Sequence, residues 1–312
     1  MIEISVVIPT FNRADMVDRC LEHLARQRLP RERFEVIVVD DASTDGTQAR
    51  LRRWVDDERM DVRVVLADKS FAGGARNRGS AVARGPRVLF LGDDILATPD
   101  LLERHLAGAR QWGDDAVLVG EVRYADDPAP TAFMRWLEER GVHHDFPRLR
   151  ALTGSSLPGR YFYACNASVP ARALQVTGGF DERIQRAWED TEMGVRLERT
   201  GFRLHFLPGI TGRHVHPTDL RHYTRFLRTG RADVGRAVDA LRALGEDVPA
   251  VAGHPWLDRI VTDRVVDWAV VLASASDGVL PSFLRAPLYE RVVRYERRRG
   301  LQAASSSSVV RS

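Results

Sequence analysis

VLFLGDDILATPD, residues 88–100, ends one kind of structure and begins another. Val88 to Leu91 is a short apolar run of the type that makes a strand buried on both faces. It stops at Gly92, and two carboxylates, Asp93 and Asp94, follow at once. Adjacent like charges at the end of a core strand repel each other and are costly to take out of water, so something must offset them. Working outward, similar β-rich runs recur at ISVVI (4–8), FEVIVV (34–39), VRVVLA (62–67), RVLFL (87–91) and AVLVG (116–120). Residues 14–28, 45–58, 74–84 and 99–112 between them carry helical spacing; Val17, Leu21 and Leu24, for instance, share one face. Apolar strands alternating with helices predict an α/β fold, Rossmann-like, with a mostly parallel sheet and helices on both faces.

Such sheets bind ligands at the carboxyl ends of their strands, near the point where strand order reverses. The first strand is followed by PTFNR (9–13), the second by DDASTDG (40–46) and the fourth by GDD (92–94), so polar groups and acids collect at one edge. Helix capping accounts for Ser43 or Thr44, but not for paired acids directly after two separate strands. The glycine fingerprint of dinucleotide binding is missing after the first strand, the glycines of FAGGARNRG (71–79) have other spacing, and no phosphate-loop lysine motif occurs.

The 312 residues suffice for one large α/β domain with an appendage. Forty-six basic against 43 acidic residues leave a net charge of +3, too even for a nucleic-acid binder. The basic residues are nearly all arginine, since Lys69 is the only lysine. Cys20 and Cys165 are far apart and lack metal-ligand spacing; Cys20 falls on the apolar side of a helix, and a reducing, cytoplasmic setting fits. MIEISVVIPT reads as a first strand and not as a signal peptide. No apolar run approaches the roughly 18 residues of a membrane span; the uncharged stretch WAVVLASAS (268–276) in the C-terminal part has only nine.

YFYACNASVPARAL (161–174) reads as a strand or loop entering a helix near Pro170. A helix over about 189–200 and another strand follow. Residues 218–302 are helical and Arg-rich, interrupted by GEDVPAVAGHPW (245–256), and 303–312 read as a disordered tail. Arg221, Arg225, Arg228 and Arg231 recur at helical spacing, with Tyr223, Phe226 and Leu227 among them. That pattern suits peripheral contact with an anionic membrane, or a helix packed on the main domain or on a second copy.

The series SVVIPTFNR (5–13), VIVVDDASTDGT (36–47), GGARNRG (73–79), VLFLGDDILATPD (88–100), GGFDE (178–182) and AWEDTEMGVRLERTGFRL (187–204) resembles the inverting glycosyltransferases of family 2, which have the GT-A fold. The resemblance covers roughly residues 3 to 217. It implies a catalytic domain over 1–217, with a nucleotide-binding half (1–125) and an acceptor and catalytic-base half (126–217). By position it implies that Pro9, Thr10 and Asn12 border the nucleotide base, and that Asp41, with Asp40 beside it, binds base or ribose. Asp93 and Asp94 match the family's acidic metal motif, Asp94 as direct ligand to Mn²⁺ or Mg²⁺ and Asp93 nearer the ribose; Gly92 stands where many members have a further Asp. Arg76 is placed near base or phosphate. Asp190 in WEDTE matches the catalytic base, and His214 would complete the metal shell.

The residues bear on these roles independently. A cation between two carboxylates and a diphosphate removes their repulsion. A displacement at a sugar carbon needs one base for the acceptor hydroxyl. A carboxylate near a helix N-terminus is stabilised as its anion, so Asp190 is expected to be ionised at neutral pH. Against this, Glu189, Asp190 and Glu192 also read as a plain acidic helix start, and His214 and His216 as ordinary loop histidines. His143 and His144 adjoin no carboxylates in sequence and read as loop residues. The function expected is transfer of a sugar from a nucleoside diphosphate, a UDP-sugar first, to an acceptor hydroxyl on a glycan, a lipid-linked molecule or a small molecule. The rivals are a sugar-nucleotide nucleotidyltransferase and a non-catalytic binding protein of the same fold.

Overall fold

The computed structural model describes residues 1–248, 263–275 and 282–309. Its eight-stranded sheet runs in the order β3-β2-β1-β4-β7-β6-β8-β5. The parallel half comprises β1 (Ile4–Thr10), β2 (Phe34–Asp41), β3 (Val62–Ala67) and β4 (Arg87–Leu91). β1, β2 and β4 are buried along nearly their whole length, as their unbroken apolar runs require. Helices α1 (Ala14–Leu24), α2 (Thr47–Val55) and α3 (Phe71–Ala81) make the crossovers. Order reverses between β1 and β4, so the crevice beyond their carboxyl ends is where such a sheet holds a ligand.

The second half is mixed. β5 (Ile95–Ala97) is followed by α4 (Leu101–Trp112), β6 (Ala116–Tyr124), α5 (Ala132–Glu139) and α6 (Phe146–Ala151). β7 (Asn166–Pro170) then inserts antiparallel between β4 and β6. After α7 (Ala171–Thr177) and α8 (Glu189–Arg199), β8 (Arg203–His214) pairs parallel with β6 and antiparallel with β5. This pairing brings His214 beside Ile95, the residue after Asp94.

The remaining helices are α9 (Leu220–Thr229), α10 (Arg231–Ala243), α11 (Asp263–Ala275) and α12 (Ser282–Val309). Of these, α9, α11 and α12 build a second apolar cluster with α5, in which Phe133, Trp136 and Leu137 meet Tyr223, Val266, Val270, Tyr289 and Val292. Of the arginine row, Arg228 bonds Glu296 and Asp267, and Arg231 bonds Glu296, while Arg221 and Arg225 are exposed. Helix continues to Val309, into the stretch expected to be a disordered tail, because its alanines and serines contain no glycine or proline to stop it. The interruption expected at 245–256 passes out of the described residues after 248, and 310–312 also lie outside them. No helix among the described residues is long and apolar enough to cross a membrane.

Candidate active site

The end of β4 turns sharply. Gly92 N–H donates to the Cys165 carbonyl at 3.0 Å, which ties the start of the acidic turn to the loop before β7. A Cβ on Gly92 would stand 2.8 Å from Asp94 Oδ1, so the bare backbone here sets where that carboxylate lies. Asp93 is 6% exposed. Its Oδ2 accepts from Thr10 Oγ1 at 2.8 Å and its Oδ1 from Arg13 Nη1 at 2.8 Å. Asp94 Oδ2 accepts from the same Arg13 nitrogen at 2.8 Å and faces His214 Nε2 at 3.4 Å. The question raised by two adjacent carboxylates is thus answered within the chain by a guanidinium.

The acids titrate unequally. Burial and the Asp94 charge push Asp93 up to about 6, against Arg13 and Thr10. Burial also works against the Asp94 charge, but His214 and Arg13 hold that carboxyl well below the usual range. One oxygen of Asp94 and one nitrogen of His214 at 3.4 Å form a mixed donor pair that suits Mn²⁺, and Arg13 shows that a cation is accepted between the acids. Among the described residues no group of three or more His, Cys, Asp and Glu side chains is arranged to hold a metal. Two protein donors would leave the rest of an ion's shell to phosphate oxygens and water, as is usual for Mg²⁺ at a phosphate site.

Asp190 lies in the first turn of α8. Its Oδ1 accepts from Thr191 N–H at 2.8 Å, and Ala164 N–H donates to the carboxylate as well. The sequence predicted an ionised group at neutral pH, and the structure corrects this. Burial and the neighbouring Glu189 outweigh Arg76 and the backbone donors, and push Asp190 up to about 7. Trp188, which precedes the helix, has φ 70, an uncommon conformation for a bulky residue and one found at functional sites. Close packing fixes the helix: a Cβ on Gly194 would stand 2.1 Å from the Gly159 carbonyl oxygen.

The other residues singled out in the sequence are placed as follows. Arg76 does not turn toward the acids of β4. Its Nη1 pairs with Glu189 at 3.1 Å and its guanidinium lies over Phe180 at 5.3 Å, because α3 packs under the start of α8. Asp41 is nearly saturated from within: Oδ1 accepts from Ser70 N–H and Oγ, and Oδ2 from Phe71 N–H and Lys69 Nζ. Asp40 accepts from Ser43 N–H and Gln48 Nε2. Asn12, at φ 51, receives the Thr44 N–H at 2.7 Å, so it and Asp40 brace the 40–47 loop. Pro9 and Thr10 end β1 opposite Val39 and Asp40.

Sequence reasoning missed Arg13, although FNR stood in the quoted motif, because nothing local reveals a reach of 80 residues. It also set aside His143 and His144. They do lie in a loop, but they stack at 4.3 Å, and His143 comes within 6.2 Å of the His214 ring. His144 Nε2 is 3.7 Å from the Cys165 Sγ. Both histidines line a pocket with Tyr124, Glu138 and His214. Their signal is the fold of the loop over the acids, which no sequence pattern carries.

Comparison with known proteins gives the same frame. Residues 5–164 match the model of glycosyl transferase family 2. The chain is 33% identical over 227 residues to validoxylamine A glucosyltransferase of Streptomyces hygroscopicus subsp. jinggangensis, a match covering 64% of this chain and 52% of that one. It is 28% identical over 243 residues to the hyaluronan synthase of Pasteurella multocida, covering 69% and 24%. The chain thus spans about half the length of the first of these relatives or less. Among solved structures, it resembles the mannosyltransferase PcManGT of Pyrobaculum calidifontis in complex with GDP-Man and Mn²⁺, with TM-score 0.59 and 19% identity over 95% of this chain and 86% of that one. Staphylococcus aureus TarS in complex with UDP-GlcNAc superposes with TM-score 0.55 and 16% identity, over 98% and 92%. At these identities the likeness concerns the fold, which is GT-A.

Proposed function

The chain belongs to glycosyl transferase family 2, and from that premise we propose that it transfers a sugar, with inversion, from a nucleoside diphosphate to an acceptor hydroxyl. One observation carries the reading. The acids of β4 and the carboxylate of α8 are tied to adjacent residues of one loop, Gly92 to Cys165 and Asp190 to Ala164. Both carboxylate centres act on the Cys165 thiol of that loop, and a displacement needs a charge-handling group for the departing diphosphate and a base for the attacking hydroxyl in one such neighbourhood.

In this reading Asp94 and His214 would hold a Mn²⁺ or Mg²⁺ ion, and Asp93 lies on the ribose side. When bound, the ion offsets the negative charge that develops on the departing diphosphate. Asp190 takes the proton of the acceptor hydroxyl as its oxygen bonds to the anomeric carbon and the bond to the diphosphate oxygen breaks. Thr10 holds Asp93 in place, and Asp41 and Asn12 shape the loops that would border the nucleotide. Arg76 acts on the other side, as the cation that tempers Glu189 beside the base. Residues 1–217 are the catalytic domain, and the helices beyond them brace α5. The donor is a UDP-sugar, as with TarS, and the acceptor a hydroxylated small molecule, as the name of the validoxylamine relative suggests.

The test is donor turnover with Mn²⁺ against UDP-, GDP- and dTDP-sugars. Asp190→Asn should lower transfer by about a thousandfold while UDP still binds. Retained turnover removes Asp190 from the role, and release of pyrophosphate from a nucleoside triphosphate would favour nucleotidyl transfer.

A further inference from the structure

Arg13 caps the start of α1, and its backbone N–H donates to Thr47 Oγ1 at 3.1 Å, so the position of its backbone is fixed by the neighbouring loop. Its side chain is not fixed in the same way. It is 35% exposed, and both of its contacts with the acids run through the single nitrogen Nη1. A guanidinium held firmly by a carboxylate uses two nitrogens in a fork. Here one nitrogen spans two residues, a weaker hold that can be released without moving the backbone.

The oxygen it holds is contested. Asp94 Oδ2 is the atom that accepts from Arg13, and it is also the atom that faces His214 Nε2. An ion bound between Asp94 and His214 would need that oxygen and would bring two positive charges up against the guanidinium. We propose that Arg13 is the resident counter-ion of the acid pair, and that it yields Asp94 to a divalent cation when a nucleoside diphosphate gives its guanidinium a new anionic partner. Metal and donor then enter as a linked pair. Metal alone binds poorly because it must evict Arg13 into water, and each ligand raises the affinity for the other by the same factor. The inference rests on the reading of this crevice as the donor site.

Calorimetry on the full chain separates the two ideas. In the wild type, saturating UDP should tighten Mn²⁺ binding by about tenfold or more, and R13Q should bind Mn²⁺ alone about tenfold tighter than wild type, with the enhancement by UDP reduced. R13K, which restores a charge, should move back toward wild type. Unchanged or weaker binding of Mn²⁺ to a folded R13Q overturns the role of Arg13 and leaves the donor site standing. A wild type that binds neither Mn²⁺ nor UDP, singly or together, overturns both. If R13Q does not fold, arginine side-chain NMR of the wild type decides. The Arg13 guanidinium signal should change environment when Mg²⁺ and UDP are both present, and a signal that stays in place contradicts the exchange.

Discussion

At the scale of the residue, the chemistry turns on how burial and neighbouring charge set one carboxylate. Asp190 must be ionised to accept a proton, and its pKa is pushed up to about 7 by burial and Glu189. Activity from this group is therefore present above that pH and lost as pH falls through it. The rate of transfer should rise with pH through about 7. E189Q removes a like charge and should move that limb to lower pH; R76M removes the opposing cation and should move it higher. Both are read from pH profiles of kcat/KM. Asp190→Asn should lower turnover by about a thousandfold with UDP affinity nearly unchanged. The acids themselves were legible in the sequence, because a carboxylate directly after an apolar strand is conspicuous. Their charge states were not, because those depend on Arg13, His214 and Arg76, which arrive from other elements.

At the scale of the element, two glycines set where the carboxylates stand. Gly92→Ala would place a Cβ 2.8 Å from Asp94 Oδ1 and push that carboxylate aside. Titration should show weakened Mn²⁺ binding in the presence of UDP, with stability little changed. Gly194→Ala meets a backbone carbonyl at 2.1 Å, which cannot rotate away, so α8 must shift. Denaturant melts should show a loss of about 1–3 kcal/mol, with turnover falling alongside. Strands β1 to β4 were legible because each is an apolar run bounded by turn residues. β5 was not, since three residues carry no periodicity. Neither was the antiparallel entry of β7, because the direction of a strand in the sheet is decided by its partners and not by its own sequence.

At the scale of the whole molecule, the C-terminal helices complete a core begun by α5. Phe133 is fully buried, with its ring 5.7 Å from Trp136 and Tyr223 and 5.1 Å from Tyr289. Phe133→Ala should cost about 3–5 kcal/mol in chemical denaturation. It should also weaken acceptor use, since α5 leads into the loop that carries His143 and His144 over the site. The helices were legible as helices, but their docking was not, because α5 finds its apolar partners some 90 to 160 residues further along. The central claim, that the crevice between β1 and β4 holds the donor through its diphosphate, is tested most directly by anomalous diffraction from crystals grown with UDP and Mn²⁺. A manganese peak should lie within ligand distance of Asp94 and His214, with diphosphate oxygens completing its shell. A UDP molecule whose diphosphate lies away from Asp93 and Asp94 would contradict it.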